Sequence, residues 1–200
     1  KIEEGGRLGE LWGFKTNGFF TVYDPVSNPD GQLVLEGTTW KLRDGIVDNS
    51  PSITGGSYYP GGLRVEVDEN GDPLKQRLGN TVPTTTGGFG FDGRVGNFDF
   101  NVFFNYSLGN KIVNGTKLAN AFYHGSAKNY NLVNDFALGS RYTWIDPETG
   151  LNLGRPSTST IAAYGGADAM IARLNEINSG ASIYNPAGVS TMQLIDYAVE

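Results

Sequence analysis

The chain has 200 residues, with 15 Lys and Arg against 21 Asp and Glu for a formal net charge of −6, one histidine and no cysteine. Its longest unbroken apolar runs, 161–164 and 169–172, are four residues each, far below the roughly 20 that a transmembrane helix needs. Thiolate metal sites, disulfides and a cysteine nucleophile are therefore excluded, and without a basic cluster to neutralise phosphates nucleic acid is not an expected partner.

In chain order, the start at Lys1-Ile-Glu-Glu is not expected to be a signal peptide, because no apolar run follows it. A first strand is predicted over 11–23, with Trp12, Phe14, Phe20 and Val22 on one face and Lys15, Asn17 and Thr21 on the other. Residues 25–80 read as a long connection rich in Gly, Pro, Asn and Asp, with short strand pairs around 33–42 and 63–67. A second strand is predicted over 84–95, with Phe89, Phe91 and Val95 opposite Asp92 and Arg94. A third follows over 98–108: Phe98, Phe100, Val102, Phe104, Tyr106 and Leu108 alternate with Asp99, Asn101, Phe103, Asn105 and Ser107. Gly96-Asn97 joins the last two as a tight antiparallel turn. Residues 109–196 read as a second long connection. It holds a helical turn near 118–123 and a helix over 167–178, where Met170, Ile171, Leu174 and Ile177 recur at helical spacing before Gly180.

This layout is asymmetric. Connections longer than about 15 residues are uncommon in compact soluble domains, whereas outer-membrane barrels combine short periplasmic turns with long extracellular loops. Eleven residues at about 3.3 Å each reach roughly 36 Å, and a tilt of about 45° turns that into the 25 Å of an outer-membrane apolar band. The alternation alone leans towards a soluble β-sandwich with one buried face, which alternates in the same way.

Four blocks carry a resemblance: GRLGELWGFKTNGFF (6–20), GNTVPTTTGGFGFD (79–92), NFDFNVFFNYSLGNKIVN (97–114) and YNPAGVSTMQLIDYAVE (184–200), together 64 of the 200 residues. Their order resembles the C-terminal barrel portion of SusC/RagA-like TonB-dependent outer-membrane transporters of Bacteroidetes. The resemblance implies an all-β fold: a partial antiparallel transmembrane β-barrel of about three meandering strands, with long extracellular loops containing short helices. It implies a location in the cell outer membrane and a fragment of a large plugged barrel. Such a fragment would lack the plug, the TonB-contacting segment, the signal peptide and the final strands. The implied role is import of glycans, other oligosaccharides or peptides, with a SusD-like surface lipoprotein as partner and a TonB complex engaged through parts absent from this chain. No cofactor and no enzymatic activity are implied. The alternative is a secreted or surface β-sandwich acting as a carbohydrate-binding or adhesin module, with Phe98, Phe100 and Phe104 in a closed core.

The residues themselves offer no nucleophile elbow and no paired carboxylates, and His124 reads as a loop residue. The loop aromatics Trp40, Tyr58, Tyr59 and Trp144 are the candidate ligand contacts, because an aromatic face covers the C–H face of a sugar. In the barrel reading Asn101, Asn105 and Ser107 face the lumen. Phe98, Phe100, Val102 and Phe104 face lipid, and Tyr106 lies in an interfacial girdle. Asp68, Asn70 and Asp72 occupy positions 1, 3 and 5 of a calcium loop, but position 6 is Pro73 and position 12 is Gly79. A surface Asn-Gly turn is the plainer reading, and no metal is assigned.

Overall fold

Phe98 to Leu108 needs a partner strand for its backbone, and the tight turn before it supplies one. In the computed structural model, which describes residues 5–50, 58–117, 134, 137, 139–185 and 199, the strands are β1 Glu10–Phe14, β2 Thr16–Phe19, β3 Leu33–Glu36, β4 Thr39–Leu42, β5 Leu63–Val65, β6 Lys75–Asn80, β7 Thr85–Val95 and β8 Phe98–Leu108. Two helices follow, α1 Thr158–Ala163 and α2 Ala167–Ile177. The strands pair antiparallel as β1·β6, β2·β5, β3·β4 and β7·β8, and they form no closed barrel among the described residues.

β7 and β8, 11 residues each, pair without a bulge from Thr85↔Leu108 to Val95↔Phe98. Gly96 takes φ +65°, the conformation that the first position of a type II′ hairpin turn requires. Directly opposed residues share a face, so Phe89, Phe91 and Val95 join Phe98, Phe100, Val102, Phe104, Tyr106 and Leu108 on one side. Phe89 and Phe104 stack there with ring centroids 5.1 Å apart.

Glycine stands opposite the larger rings. A Cβ on Gly93 would lie 2.5 Å from Phe100, and one on Gly87 2.5 Å from the Tyr106 hydroxyl. Rings laid over cross-strand glycines supply the packing those residues lack. The same rule explains Phe103, the one aromatic on the polar face: its ring covers Gly88 and Gly90, whose Cβ positions would be 2.8 and 2.7 Å away. Elsewhere that face is polar. Asn101 Nδ2 donates to Asp92 Oδ1 at 2.7 Å, and Arg94 pairs with Asp99 at 3.4 Å.

The apolar face packs against nothing among the described residues. Phe98 is 81% exposed, Phe100 45% and Phe104 47%, so the closed core that the sandwich alternative requires of these three rings is not formed.

The strand predicted over 11–23 is corrected. Its first part, β1, pairs with β6, its second, β2, with β5, and the two ladders are separate sheets. Phe20 and Val22 then leave the strand for a buried core. Neither β1 nor β2 has the length of β7 or β8. Within 25–80 the strands predicted around 33–42 and 63–67 are present as β3, β4 and β5, and the connection is more regular than predicted only in adding β6. The helical turn expected near 118–123 lies outside the described residues, as does His124.

The two long connections share one core. Phe20, Val22, Leu33 and Trp40 from the first pack with Tyr142, Trp144, Leu153, Met170, Ile171 and Leu174 from the second. α2 buries Met170, Ile171 and Leu174, as its spacing predicts. Its end is fixed by Asn178, whose Nδ2 donates to the Thr143 and Leu174 carbonyls at 3.0 and 2.8 Å while its Oδ1 accepts from Thr143 N–H at 2.7 Å.

A buried charge locks the same helix. The Asp146 carboxylate is fully buried and receives Arg173 Nε at 3.0 Å, Arg173 Nη2 at 3.1 Å, the Tyr164 hydroxyl at 2.6 Å and the Glu148 N–H at 2.9 Å. The Arg173 hydrogen bonds outweigh burial and hold the Asp146 carboxyl well below the usual carboxylate range. They likewise hold the Arg173 guanidinium above its ordinary value.

Because the folded-state pKa of Asp146 is depressed, its contribution is full above the ordinary carboxylate pKa and is lost as the pH falls below it. Asp146→Ala removes the buried acceptor of Arg173 and Tyr164, while Arg173 keeps Glu148 and Glu176, and is expected to cost about 1–3 kcal/mol at pH 7, the scale of a buried donor left unsatisfied. Hydrogen exchange of the 167–177 amides should be accelerated accordingly in the variant, and the gap from the parent should narrow towards pH 2. A gap that is unchanged with pH contradicts this account.

Candidate functional site

Three of the four predicted aromatics meet at one place. Trp40, Tyr58 and Tyr59 line a cleft of ≈ 410 Å³ with Thr38, Thr39, Gly154, Arg155 and Pro156, a volume within the usual range for small-molecule sites of about 300–1,000 Å³. The fourth, Trp144, lies behind it, with its ring centroid 5.7 Å from that of Tyr59.

Their roles differ. Trp40 is 4% exposed and Trp144 9%, so both indoles are packed in the core as the floor of the cleft and its backing. Trp40 Nε1 donates to the Gly154 carbonyl at 2.8 Å, and Trp144 Nε1 donates to the Pro60 carbonyl at 2.6 Å. A buried indole N–H needs such an acceptor, and each bond here crosses from one long connection to the other. Tyr58 and Tyr59 are half-buried and form the wall. The Tyr58 hydroxyl donates to Asp48 Oδ2 at 2.6 Å, which pushes this phenol up to about 12. Its ring meets Phe20 edge-on at 5.9 Å.

Sequence reasoning missed Arg155, Thr38 and Thr39. Arg155 is exposed, with its guanidinium 4.5 Å from the Tyr59 ring centroid and 5.1 Å from that of Trp144. Its backbone is fixed from both sides. Arg155 N–H donates to Asn152 Oδ1 at 2.9 Å, Pro156 is buried, and the Gly154 carbonyl holds Trp40. Gly154 itself has no room for a side chain, since a Cβ there would overlap the Trp144 ring. No local pattern announces this cluster, because Trp40 and Gly154 are 114 residues apart.

The other sequence candidates lie elsewhere. Asn101, Asn105 and Ser107 share the polar face of β8, and Phe98, Phe100, Val102, Phe104 and Tyr106 share the apolar one. Asp68 serves its own turn: Oδ1 accepts the N–H groups of Asn70 at 2.8 Å and Asp72 at 3.0 Å, and Gly71 takes φ +87°. No group of three acidic or histidine side chains that could hold a metal occurs among the described residues.

Among curated proteins, the chain is similar to TonB-dependent receptor P3 of Formosa agariphila, with 31% identity over 120 residues. The matched stretch covers 58% of this chain, and the chain spans about a tenth of that relative's length. This similarity supports a relationship to TonB-dependent receptors. No family model and no solved structure matches the chain.

The cleft depends on the contact between Gly154 and Trp144. Gly154→Ala forces a methyl group into that ring and is expected to cost about 1–3 kcal/mol, the scale of overpacking. Near-ultraviolet circular dichroism and tryptophan emission should report a displaced, more solvated indole. Unchanged spectra would mean that the ring and backbone are not in contact.

Proposed function

We propose that this chain is a piece of the wall and extracellular vestibule of a TonB-dependent outer-membrane importer. The observation that carries the reading is the β7·β8 hairpin. It has a full-length apolar aromatic face exposed on one side and a hydrogen-bonded polar face on the other. Two strands of 11 residues at about 3.3 Å per residue and a tilt of about 45° match an outer-membrane apolar band. In this reading Phe98, Phe100, Val102 and Phe104 meet lipid, Tyr106 sits near the interface, and Asn101, Asn105 and Ser107 face the lumen.

The tight turn lies at one end of the hairpin. β6 and the chain beyond Gly109 leave from the other, where Lys111 N–H donates to the Asn80 carbonyl at 2.7 Å. The core built by both connections therefore belongs on the extracellular side, with β1·β6 as its stem. The similarity to a TonB-dependent receptor supports a transport-receptor role. The four sequence blocks favour the SusC/RagA-like branch, with glycans or other oligomeric nutrients as cargo and a SusD-like lipoprotein as partner. Coupling to a TonB complex runs through other parts of the protein. The chain's work is passage and capture, not bond chemistry.

In vesicle-embedded protein, Phe104→Arg should lower folding stability by about 2–4 kcal/mol, the cost of a lipid-facing arginine near the midplane. Asn105→Arg, on the other face, should cost far less. Denaturant titration monitored by heat-modifiable electrophoretic mobility reads both. Equal costs, or a purified chain that folds as a monodisperse monomer in detergent-free buffer, would sink the membrane reading.

A further inference from the structure

We infer that the cleft between the two long connections selects oligosaccharides bearing an oxyanion, a carboxylate or a sulfate ester, through the guanidinium of Arg155. The inference rests on the importer reading and adds a substrate class to it.

Arg155 differs from the other arginines around it: Arg43 and Arg64 also lie against rings without a carboxylate, but their side chains donate to the Pro29 carbonyl and to Asn49 Oδ1, whereas the Arg155 side chain has no hydrogen-bond acceptor among the described residues. Arg173 is ringed by carboxylates: Asp146 at 3.0 Å, Glu148 at 3.1 Å and Glu176 at 3.0 Å. Arg155 has no carboxylate partner among the described residues, in a chain whose net charge is −6. Its charge is supported instead by two aromatic rings. With its Cζ held over the rings and no side-chain acceptor among the described residues, the guanidinium has N–H groups to offer, and its planar fork matches a carboxylate or sulfate in a two-point contact. Among the described residues, the carboxylate bonded to a lining side chain, Asp48, is already engaged by Ser50 and Tyr58.

The surroundings suit a sugar. Tyr58 and Tyr59 give the wall apolar ring surface, and Thr38 and Thr39 add hydroxyls at the rim. The site is also held in advance. Asn152 fixes the Arg155 N–H, Trp40 fixes the preceding carbonyl, and Trp144 leaves no space at Gly154. Little ordering is then left for the ligand to drive, which favours affinity. An acidic peptide shares the oxyanion but lacks a ring with a C–H face, so the tyrosine wall favours the saccharide.

The test uses the full-length receptor in detergent and calorimetric titration with size-matched oligosaccharides, one neutral, one with uronate units and one with sulfate esters, plus an acidic peptide. An oxyanion-bearing oligosaccharide should bind about tenfold or more tightly than the neutral one, the scale of a charged hydrogen bond. The tighter of the two identifies the anion. Arg155→Gln should abolish that margin, so that acidic and neutral sugars bind the variant alike, while Arg155→Lys, which keeps charge but loses the fork, should restore only part of it. An unchanged melting curve for Arg155→Gln shows that the exposed side chain is not structural. Equal binding of neutral and acidic sugars, no binding of any, an unaffected Arg155→Gln variant or tighter binding of the peptide overturns the inference. Outer-membrane fractionation reads the importer proposal separately, since its outcome does not depend on Arg155.

Discussion

Two indole hydrogen bonds hold this structure's loop module together. Trp40 reaches the Gly154 carbonyl and Trp144 reaches the Pro60 carbonyl, so each long connection buries an indole whose N–H only the other can satisfy. Loop closure becomes costlier as loops lengthen, though slowly, and among the described residues neither connection has a sheet wide enough to bury much apolar surface alone. The shared core offsets that cost by removing Phe20, Leu33, Trp40, Trp144, Leu153 and Met170 from water at once. An unpaired buried indole would cost the desolvation of its N–H, so the two bonds fix the relative placement of 40–42 and 154–156 as well as stabilising it. The cleft is a consequence of that placement.

The hairpin obeys the opposite constraint. Its backbone groups are satisfied by one clean ladder and its glycines are covered by rings from the partner strand, yet its apolar face is left open. A soluble domain would need that face covered, because large exposed apolar patches mark interaction or membrane surfaces. In the importer proposal, lipid meets the need without further protein. The same chain thus carries two kinds of apolar surface, one buried by its own loops and one presented outward, and alternation along a strand does not distinguish them.

That difference explains what was legible in the sequence. The hairpin was, because period-2 alternation and a Gly-Asn turn are local signals, and so was α2, whose apolar residues recur at helical spacing before a glycine. The break between Phe14 and Thr16 was not. Residues 11–23 alternate loosely as one strand, but β1 and β2 take different partners from β6 and β5, and partner choice is not written in the alternation. The ring chemistry of Trp40, Tyr58, Tyr59 and Trp144 is legible in the sequence, and the structure brings the four together. Sequence could not say that two of the four would be floor and backing while two form the wall. Phe103 breaks the alternation because its ring covers Gly88 and Gly90 on the partner strand.

Arg155 was invisible for a related reason. A single arginine between a glycine and a proline has no local signature, and its character comes from what the fold denies it. Arg173 is neutralised by carboxylates on its own helix and on the 146–148 turn, as expected for a partly buried cation. Arg155 is fixed over two rings and given no counter-charge among the described residues, although the chain has more acidic side chains than basic ones. A purely structural cation in an acidic protein gains by pairing. In the proposal, Arg155, backed by two rings and without a side-chain acceptor among the described residues at the edge of a cleft, is arranged for a negative group that arrives from solution.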